Sequence, residues 1–165
     1  MKYNWKDYNA VYSEIINSWL DSEAISMTGL DEDFDSYVNA VTEDSDNFPN
    51  TEFKLIFQGD SPIAVAVYGI YNEVVTVMEI VVAPNERGKG KGSEIIRELL
   101  QICNESFDET VKQFRVVIFP NNIASQKAFE KAGFRFESAH EDGDAWYYVF
   151  DEEKDRLKLK RGKNV

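Results

Sequence analysis

The 165-residue chain is predicted to fold as an α/β (α+β) domain, a mixed sheet with helices packed against it. Three observations point there. Apolar residues recur at helical spacing in the first forty residues. The middle is built of β-branched runs divided by turn residues. The last third alternates helical and strand patterns. The resulting order is α-α-β-β-β-loop-α-β-α-β-β, with a further short strand at Lys2 to Trp5 ahead of it.

Each element has its own reason. Asn9 to Leu20 reads as an amphipathic helix with Val11, Ile15, Ile16 and Trp19 on one side. Asp31 to Val41 reads as a second, with Phe34, Tyr37, Val38 and Val41 at helical spacing and acids at the positive end of its dipole. Thr42 to Asn50 is polar and ends in Pro49-Asn50, a loop signal. Glu52 to Gln58 and Ile63 to Tyr71 are strands joined by the turn Gly59-Asp60-Ser61-Pro62, hence a hairpin. Asn72-Glu73 turns the chain into Val74 to Val82, whose β-branched density predicts a central, buried strand. Glu94 to Cys103 is a helix with Ile95, Ile96, Leu99 and Leu100 inward. Phe114 to Phe119 is a strand stopped by Pro120-Asn121. Ile123 to Lys131 is a short helix ended by Gly133. Phe134 to Ser138 and Ala145 to Phe150 form a last hairpin about Glu141-Asp142-Gly143-Asp144. Residues 1–150 are expected to make one domain, followed by a charged, frayed or helical tail over 151–165.

Composition narrows the function. Apolar residues make 43% of the chain and aromatics 13%, which excludes a wholly disordered chain. One cysteine, Cys103, excludes an internal disulfide framework and reads as a buried small hydrophobe. One histidine, His140, argues against a His-rich metal site and against a Ser-His-Asp triad, so no metal is expected. No 18-residue apolar run exists, and Met1 to Asp7 lacks the apolar stretch of a signal peptide, so the expected location is cytoplasmic. The net charge is −12, and residues 1–50 hold eleven acids against two bases. That surface repels nucleic acid and attracts small cations such as amines.

The segment richest in chemistry runs from Val81 to Ser93, VVAPNERGKGKGS. It joins a strand to a helix start. Glycines 88, 90 and 92 let the backbone approach a ligand and aim several N–H groups one way, the helix adds its positive N-terminal dipole, and Arg87, Lys89 and Lys91 add charge. Together they suit an anion, most naturally a pyrophosphate. No window fits G-x-x-x-x-G-K-[ST], and G-x-G-x-x-G fails because its sixth position would be Ser93.

Arg87-Gly88-Lys89-Gly90-Lys91-Gly92 resembles the [QR]-x-x-G-x-[GA] signature of the GNAT superfamily of acyl-CoA-dependent N-acyltransferases, and Ile80 to Pro84 is similar to that family's fourth strand and its exit. Forty residues on, Asn122, Ser125, Phe129 and Gly133-Phe134 resemble the family's N-x-x-[AS]-x-x-x-[YF]-x-x-x-G-F block. The resemblance spans about residues 62–150. It implies a mostly antiparallel central sheet with helices on both faces. A splayed parallel pair, here Val74 to Val82 and Phe114 to Phe119, would form the acyl-CoA cleft. It also implies that the cosubstrate is acetyl-CoA. The pyrophosphate would lie on the amides of Gly88, Lys89, Gly90, Lys91, Gly92 and Ser93, with Arg87 beside them. Main-chain groups of Val81, Val82 and Ala83 would hold the pantetheine arm strand-fashion. Asn122, Ser125 and Phe129 fall on one helical face, which suits a wall of that arm. Relatives in this superfamily often dimerise, which makes a homodimer an open expectation.

Attack of an amine on a thioester needs a group to remove a proton. Glu79 is the candidate general base: it stands alone among Val75, Val77, Met78, Ile80, Val81 and Val82, where burial raises a carboxylate's pKa. An outward-facing Glu on a half-exposed strand is the competing reading. Family members often protonate the leaving thiolate with a Tyr where this chain has Phe129, so the general acid is open; Tyr147, Tyr148 or water are the substitutes.

The acceptor is expected to enter opposite the cosubstrate. Its walls would come from the N-terminal helices and the last hairpin, which hold Glu14, Asp21, Glu23, Asp31, Glu32, Asp33, Asp35, Glu141, Asp142 and Asp144 with Trp5, Trp19 and Trp146. Such walls suit a cationic amine. Ser18 to Glu23 resembles the branch holding ribosomal-protein and aminoglycoside acetyltransferases. The expected activity is therefore N-acetylation of a small amine, an aminoglycoside-like molecule or a protein N-terminus. The alternative is a catalytically silent acyl-CoA sensor, which the missing hydroxyl at Phe129 favours.

Overall fold

The computed structural model describes residues 1–107 and 110–162. Seven strands make one mixed sheet in the order β1-β2-β3-β4-β5-β7-β6. They are β1 (Asn4–Asp7), β2 (Thr51–Gln58), β3 (Ser61–Tyr71), β4 (Val74–Val82), β5 (Gln113–Ile118), β6 (Arg135–Ala139) and β7 (Trp146–Asp151). The helices are α1 (Ser13–Trp19), α2 (Ser22–Thr28), α3 (Phe34–Glu43), α4 (Lys91–Ser106), α5 (Ile123–Lys131) and α6 (Lys154–Gly162). The sheet is mostly antiparallel, and β4 runs parallel to β5. The expected fold class is the observed one. Among the described residues no helix is long and apolar enough to cross a membrane.

By internal contacts the chain divides into two compact units. The first comprises Met1–Gly69 and Met78–Lys91. Its core gathers Ile16 and Trp19 of α1, Phe34 of α3, Leu55 and Phe57 of β2, Val65 and Val67 of β3, and Val81 and Ala83 at the end of β4. The alternating strand positions 55, 57, 65, 67, 81 and 83 lie on the sheet face that this cluster covers, because successive side chains of a strand point to opposite faces. Asn17 fixes the start of α3: its Oδ1 accepts from the Phe34 N–H at 2.8 Å, and its Nδ2 donates to Asp33 at 2.5 Å. Asp33 in turn caps α3 by accepting from the Ser36 N–H.

Three expectations change here. The helix expected over Asn9 to Leu20 is a 3₁₀ turn at Ala10–Tyr12 followed by α1, and Val11 is 77% exposed and Ile15 exposed. The 3₁₀ turn shifts the phase, so only Ile16 and Trp19 reach the core. Helix α2 has no counterpart in the sequence reading; Asp21 caps it by accepting from the Ala24 N–H, and Gly29 ends it at φ 76°. The expected buried character of β4 is only half right. It is the middle strand of the order, yet Thr76 is exposed and Met78 to Ile80 are half-buried.

The second unit comprises Ile70–Val77 and Gly92–Val165. Asn72 and Glu73 both take positive φ (49° and 63°), the pattern of a type I′ two-residue hairpin, and start β4 in register. The parallel ladder pairs Val74–Val77 with Gln113–Val116 and β4 runs on to Val82 beyond that ladder's end. Helix α4 buries Ile95, Ile96, Leu99, Leu100 and Cys103, as its spacing requires. Phe114, Phe129, Phe134 and Phe150 form an edge-to-face cluster with ring separations of 4.9–6.5 Å. Gly133, at φ 105°, must be glycine, since a Cβ there would meet Phe150 at 3.1 Å and Leu159 at 3.3 Å. The segment expected as a tail carries α6, whose Asp155 is buried and accepts from the Asp151 N–H at 2.7 Å; residues 163–165 of that expectation lie outside the described residues.

Candidate functional site

The strand–loop–helix from Val81 to Ser93 is built as a braced turn. The Ala83 N–H donates to the Ile63 carbonyl at 2.8 Å, which holds the exit of β4 against β3. A 3₁₀ turn at Pro84–Glu86 then reverses the chain. Gly88 and Gly90 take left-handed backbone at φ 74° and 78°, and a Cβ at either would meet nothing within 4 Å. The loop is therefore open on the side its glycines face. The 16-residue α4 begins at Lys91 with its positive dipole end. Ser93 is buried in the first turn of α4. A diphosphate would need backbone amides with no side chain over them, and no Cβ at Gly88 or Gly90 covers this loop.

The loop's own cations are already engaged. Arg87 donates from Nε to the Val82 carbonyl (3.1 Å), from Nη2 to the Trp19 carbonyl (3.0 Å), and from Nη1 to both Asp21 oxygens (3.0 and 3.2 Å) and Glu23 (3.3 Å). The Ala24 N–H first, then Arg87, holds the Asp21 carboxyl below its ordinary range. Lys91 pairs with Glu86 and donates to Gln58 at 2.6 Å, while Lys89 reaches Glu86 at 3.4 Å. These two lysines, Lys91 first, depress the Glu86 pKa. The expected charge contribution of Arg87 thus becomes a brace joining the α1–α2 corner to the loop, a role invisible without the tertiary partners. Arg87→Lys, which keeps the charge and loses the fork, is expected to lower the melting temperature by about 2–5 °C, because two carbonyls lose their donor; differential scanning calorimetry reads it.

On α5, Asn122 caps the helix by accepting from the Ser125 N–H at 3.1 Å. Phe129 is 3% exposed and packs edge-on to Phe134 at 4.9 Å, inside the core of its unit. A Cβ on Gly92 would lie 3.6 Å from that of Ala128, so the start of α4 sits beside α5. The Tyr148 hydroxyl donates to Glu130 at 3.3 Å; burial first, then Glu130, raises its pKa. Tyr147 stacks under the Arg115 guanidinium at 5.0 Å.

Glu79 stands apart from these engaged groups. It lies on β4 two residues before Val81, which points into the first unit's core. Its side chain has no hydrogen-bond or ion-pair partner among the described residues. It is half-buried by surface, yet protein surrounds it closely enough that desolvation alone pushes its pKa up to about 8. A carboxylate of that kind is a base of useful strength near neutral pH.

The expected acceptor acids separate into two groups. Asp21 and Glu23 are taken by Arg87, Asp33 by Asn17 and its cap, and Asp35 by the Tyr8 hydroxyl at 3.0 Å. Trp19 is a core residue, not an exposed aromatic wall. Glu14, Asp31 and Glu32 remain exposed on the first unit, and Asp142 and Asp144 flank the exposed His140 on the second. What sequence reasoning misses is the pairing of Arg87 with Asp21 and Glu23, more than sixty residues apart, which no spacing signal marks.

No curated protein matches the sequence significantly. Solved structures match the fold. Aminoglycoside acetyltransferase AAC(6')-Ib in complex with coenzyme A is 18% identical, with 96% of this chain and 99% of that chain covered at a TM-score of 0.76. Spermidine N-acetyltransferase from Vibrio cholerae, in complex with CoA and spermine, is 14% identical over 94% and 98% at 0.75. The N-acetyltransferase PseH of Campylobacter jejuni is 17% identical over 93% and 100% at 0.69. The acetyltransferase (GNAT) family matches residues 10–134, which include β4, the glycine loop and α5. The chain belongs to the GNAT acetyltransferase family, whose members are acyl-CoA-dependent N-acetyltransferases.

Proposed function

We propose that this protein transfers an acetyl group from acetyl-CoA to a primary amine of a cationic acceptor, by direct attack within a ternary complex, with Glu79 as general base. The observation that carries the reading is Glu79 itself: an unpartnered carboxylate on β4, raised to a pKa of about 8, four residues ahead of the exit into an open glycine loop. Amides from Gly88 to Ser93 would take the pyrophosphate, and the main-chain groups of Val81 to Ala83 other than the Ala83 N–H, which Ile63 holds, would pair with the pantetheine amides. A backbone N–H near Val81 would polarise the thioester carbonyl. The amine nitrogen forms a bond to the carbonyl carbon, the C–S bond breaks, Glu79 takes a proton from nitrogen, and water supplies one to the departing thiolate. Phe129 has no hydroxyl and is sealed in the core, and Tyr148 is bonded to Glu130, so water or the Tyr147 hydroxyl is the proton source this chain leaves available, and water is the one taken here. The structural neighbours crystallised with kanamycin and with spermine, both polycations, support a cationic acceptor, as does the −12 net charge.

The test is thermal. Acetyl-CoA at a hundred times its dissociation constant is expected to stabilise the protein by about 2.7 kcal/mol, a rise of about 5–11 °C in melting temperature. No rise at millimolar acetyl-CoA would overturn the reading.

A further inference from the structure

The cations of the glycine loop are paired in two different ways. Arg87 is fixed by distant parts of the first unit: the Val82 and Trp19 carbonyls and the Asp21 and Glu23 carboxylates. Lys89 and Lys91 instead turn back onto the loop itself. Both ammonium groups converge on a single atom, Glu86 Oε2, with Lys89 at 3.4 Å and Lys91 closer. Lys91 also donates to Gln58 Oε1 at 2.6 Å. Its side chain is 13% exposed, that of Glu86 19% and that of Lys89 56%. Among the described residues, Glu86 is the one side chain with which Lys89 pairs.

Two ammonium groups held this close repel unless an anion lies between them, and here that anion is Glu86. Its position matters. Lys89 lies between Gly88 and Gly90, where a Cβ would meet nothing within 4 Å, and Lys91 opens α4 just beyond. The carboxylate therefore holds the cations of the same short stretch whose amides would face a diphosphate. A diphosphate carries an anionic oxygen on each phosphorus, so it can serve the two ammonium groups separately, where Glu86 serves both with one oxygen. While Glu86 keeps them, they are lost to the ligand, and its own charge repels phosphate.

We propose that Glu86 is an internal counter-anion for Lys89 and Lys91, displaced when the diphosphate of acetyl-CoA binds, and that it holds the affinity of the loop below what its cations alone would give. This rests on the acetyl-CoA reading above. No covalent step is involved: one set of ion pairs is exchanged for another, and Glu86 moves out to solvent.

Glu86→Gln keeps the length of the side chain and its capacity to accept a hydrogen bond, and removes its charge. Isothermal titration calorimetry with acetyl-CoA at about 0.01 M salt is expected to show a dissociation constant about three- to tenfold lower than wild type, the worth of one like charge removed from beside the ligand. The gain should shrink towards nothing at about 1 M salt, where screening acts within about 3 Å. Glu86→Asp keeps the charge and should bind no more tightly than wild type. A residue that merely braces the loop would give the opposite sign. Equal or weaker binding by Glu86→Gln therefore overturns the assignment and leaves the acetyl-CoA reading standing. An equal gain in Glu86→Asp, or a gain that salt does not reduce, overturns it as well, because charge would not be the cause. If neither wild type nor variants bind acetyl-CoA, the cosubstrate reading itself has failed, and the assignment falls with it.

Discussion

Glu79→Gln is expected to lower kcat/KM about 10²- to 10⁴-fold, the usual worth of a positioned general base, while acetyl-CoA affinity holds. Gln preserves shape and removes the proton acceptor. The pH profile of the wild type should carry the same signature. Only the ionised carboxylate can take a proton, so kcat/KM, referred to the concentration of neutral amine, should rise with pH through a midpoint of about 8 and level above it. In Glu79→Gln that limb should vanish. Stability should move the opposite way. The folded-state pKa is raised from 4.5 to about 8 because the charged form is desolvated. The folded protein therefore holds this proton more tightly than the unfolded chain. The contribution of this one group to stability is greatest below about pH 4.5, falls as pH rises towards 8, and is then constant, by an amount on the order of a few kcal/mol. Glu79→Gln stays neutral, so it should melt higher than wild type at pH 9 and equally at pH 4. A variant that loses activity and gains stability at alkaline pH is hard to explain by damage to the fold.

Gly90→Asp is expected to weaken acetyl-CoA binding by about a hundredfold or more. Gly90 sits at φ 78°, where an L-residue costs about 1–2 kcal/mol, and its open side is where the pyrophosphate would lie. A carboxylate there meets phosphate charge, so repulsion adds to the strain. Gly59→Asp is the control. Gly59 shares the left-handed backbone at φ 61° and equally open surroundings, but lies in the β2–β3 turn. It should lose comparable stability and no affinity. Isothermal titration calorimetry of both variants separates site from backbone; equal losses of affinity would remove the loop from the account.

The backbone of this protein is largely written in local pattern. The limits of β4 and α5 agree residue for residue with β-branched density and with the Pro120 and Gly133 stops, because each is set by neighbours in sequence. Helix α2 escaped because it buries only Ala24, so it carries no apolar stripe, and its cap at Asp21 is a single residue. Val11 reads as inward because a 3₁₀ turn breaks the phase of a helix that sequence alone treats as continuous. Side-chain roles were less legible still. Arg87 reads as a ligand for anions until Asp21, Glu23 and the Trp19 carbonyl are seen around it, and those lie more than sixty residues away. Phe129 reads equally as cofactor wall or core until Phe134 is found against it. Glu79 stands out in the sequence because an acid inside an apolar strand is anomalous, and the structure adds that its side chain has no hydrogen-bond partner among the described residues; its role as base is proposed.

The most direct test of N-acetyl transfer is product analysis. The protein is incubated with acetyl-CoA at pH 8.5 and a panel of amines including spermine and kanamycin, with free thiol and acetylated amine measured together by mass spectrometry. The account predicts acetylated polycationic amine and free coenzyme A in equal amounts, both lost in Glu79→Gln. Thiol release without acetylated amine, or equal yields from wild type and Glu79→Gln, would contradict it.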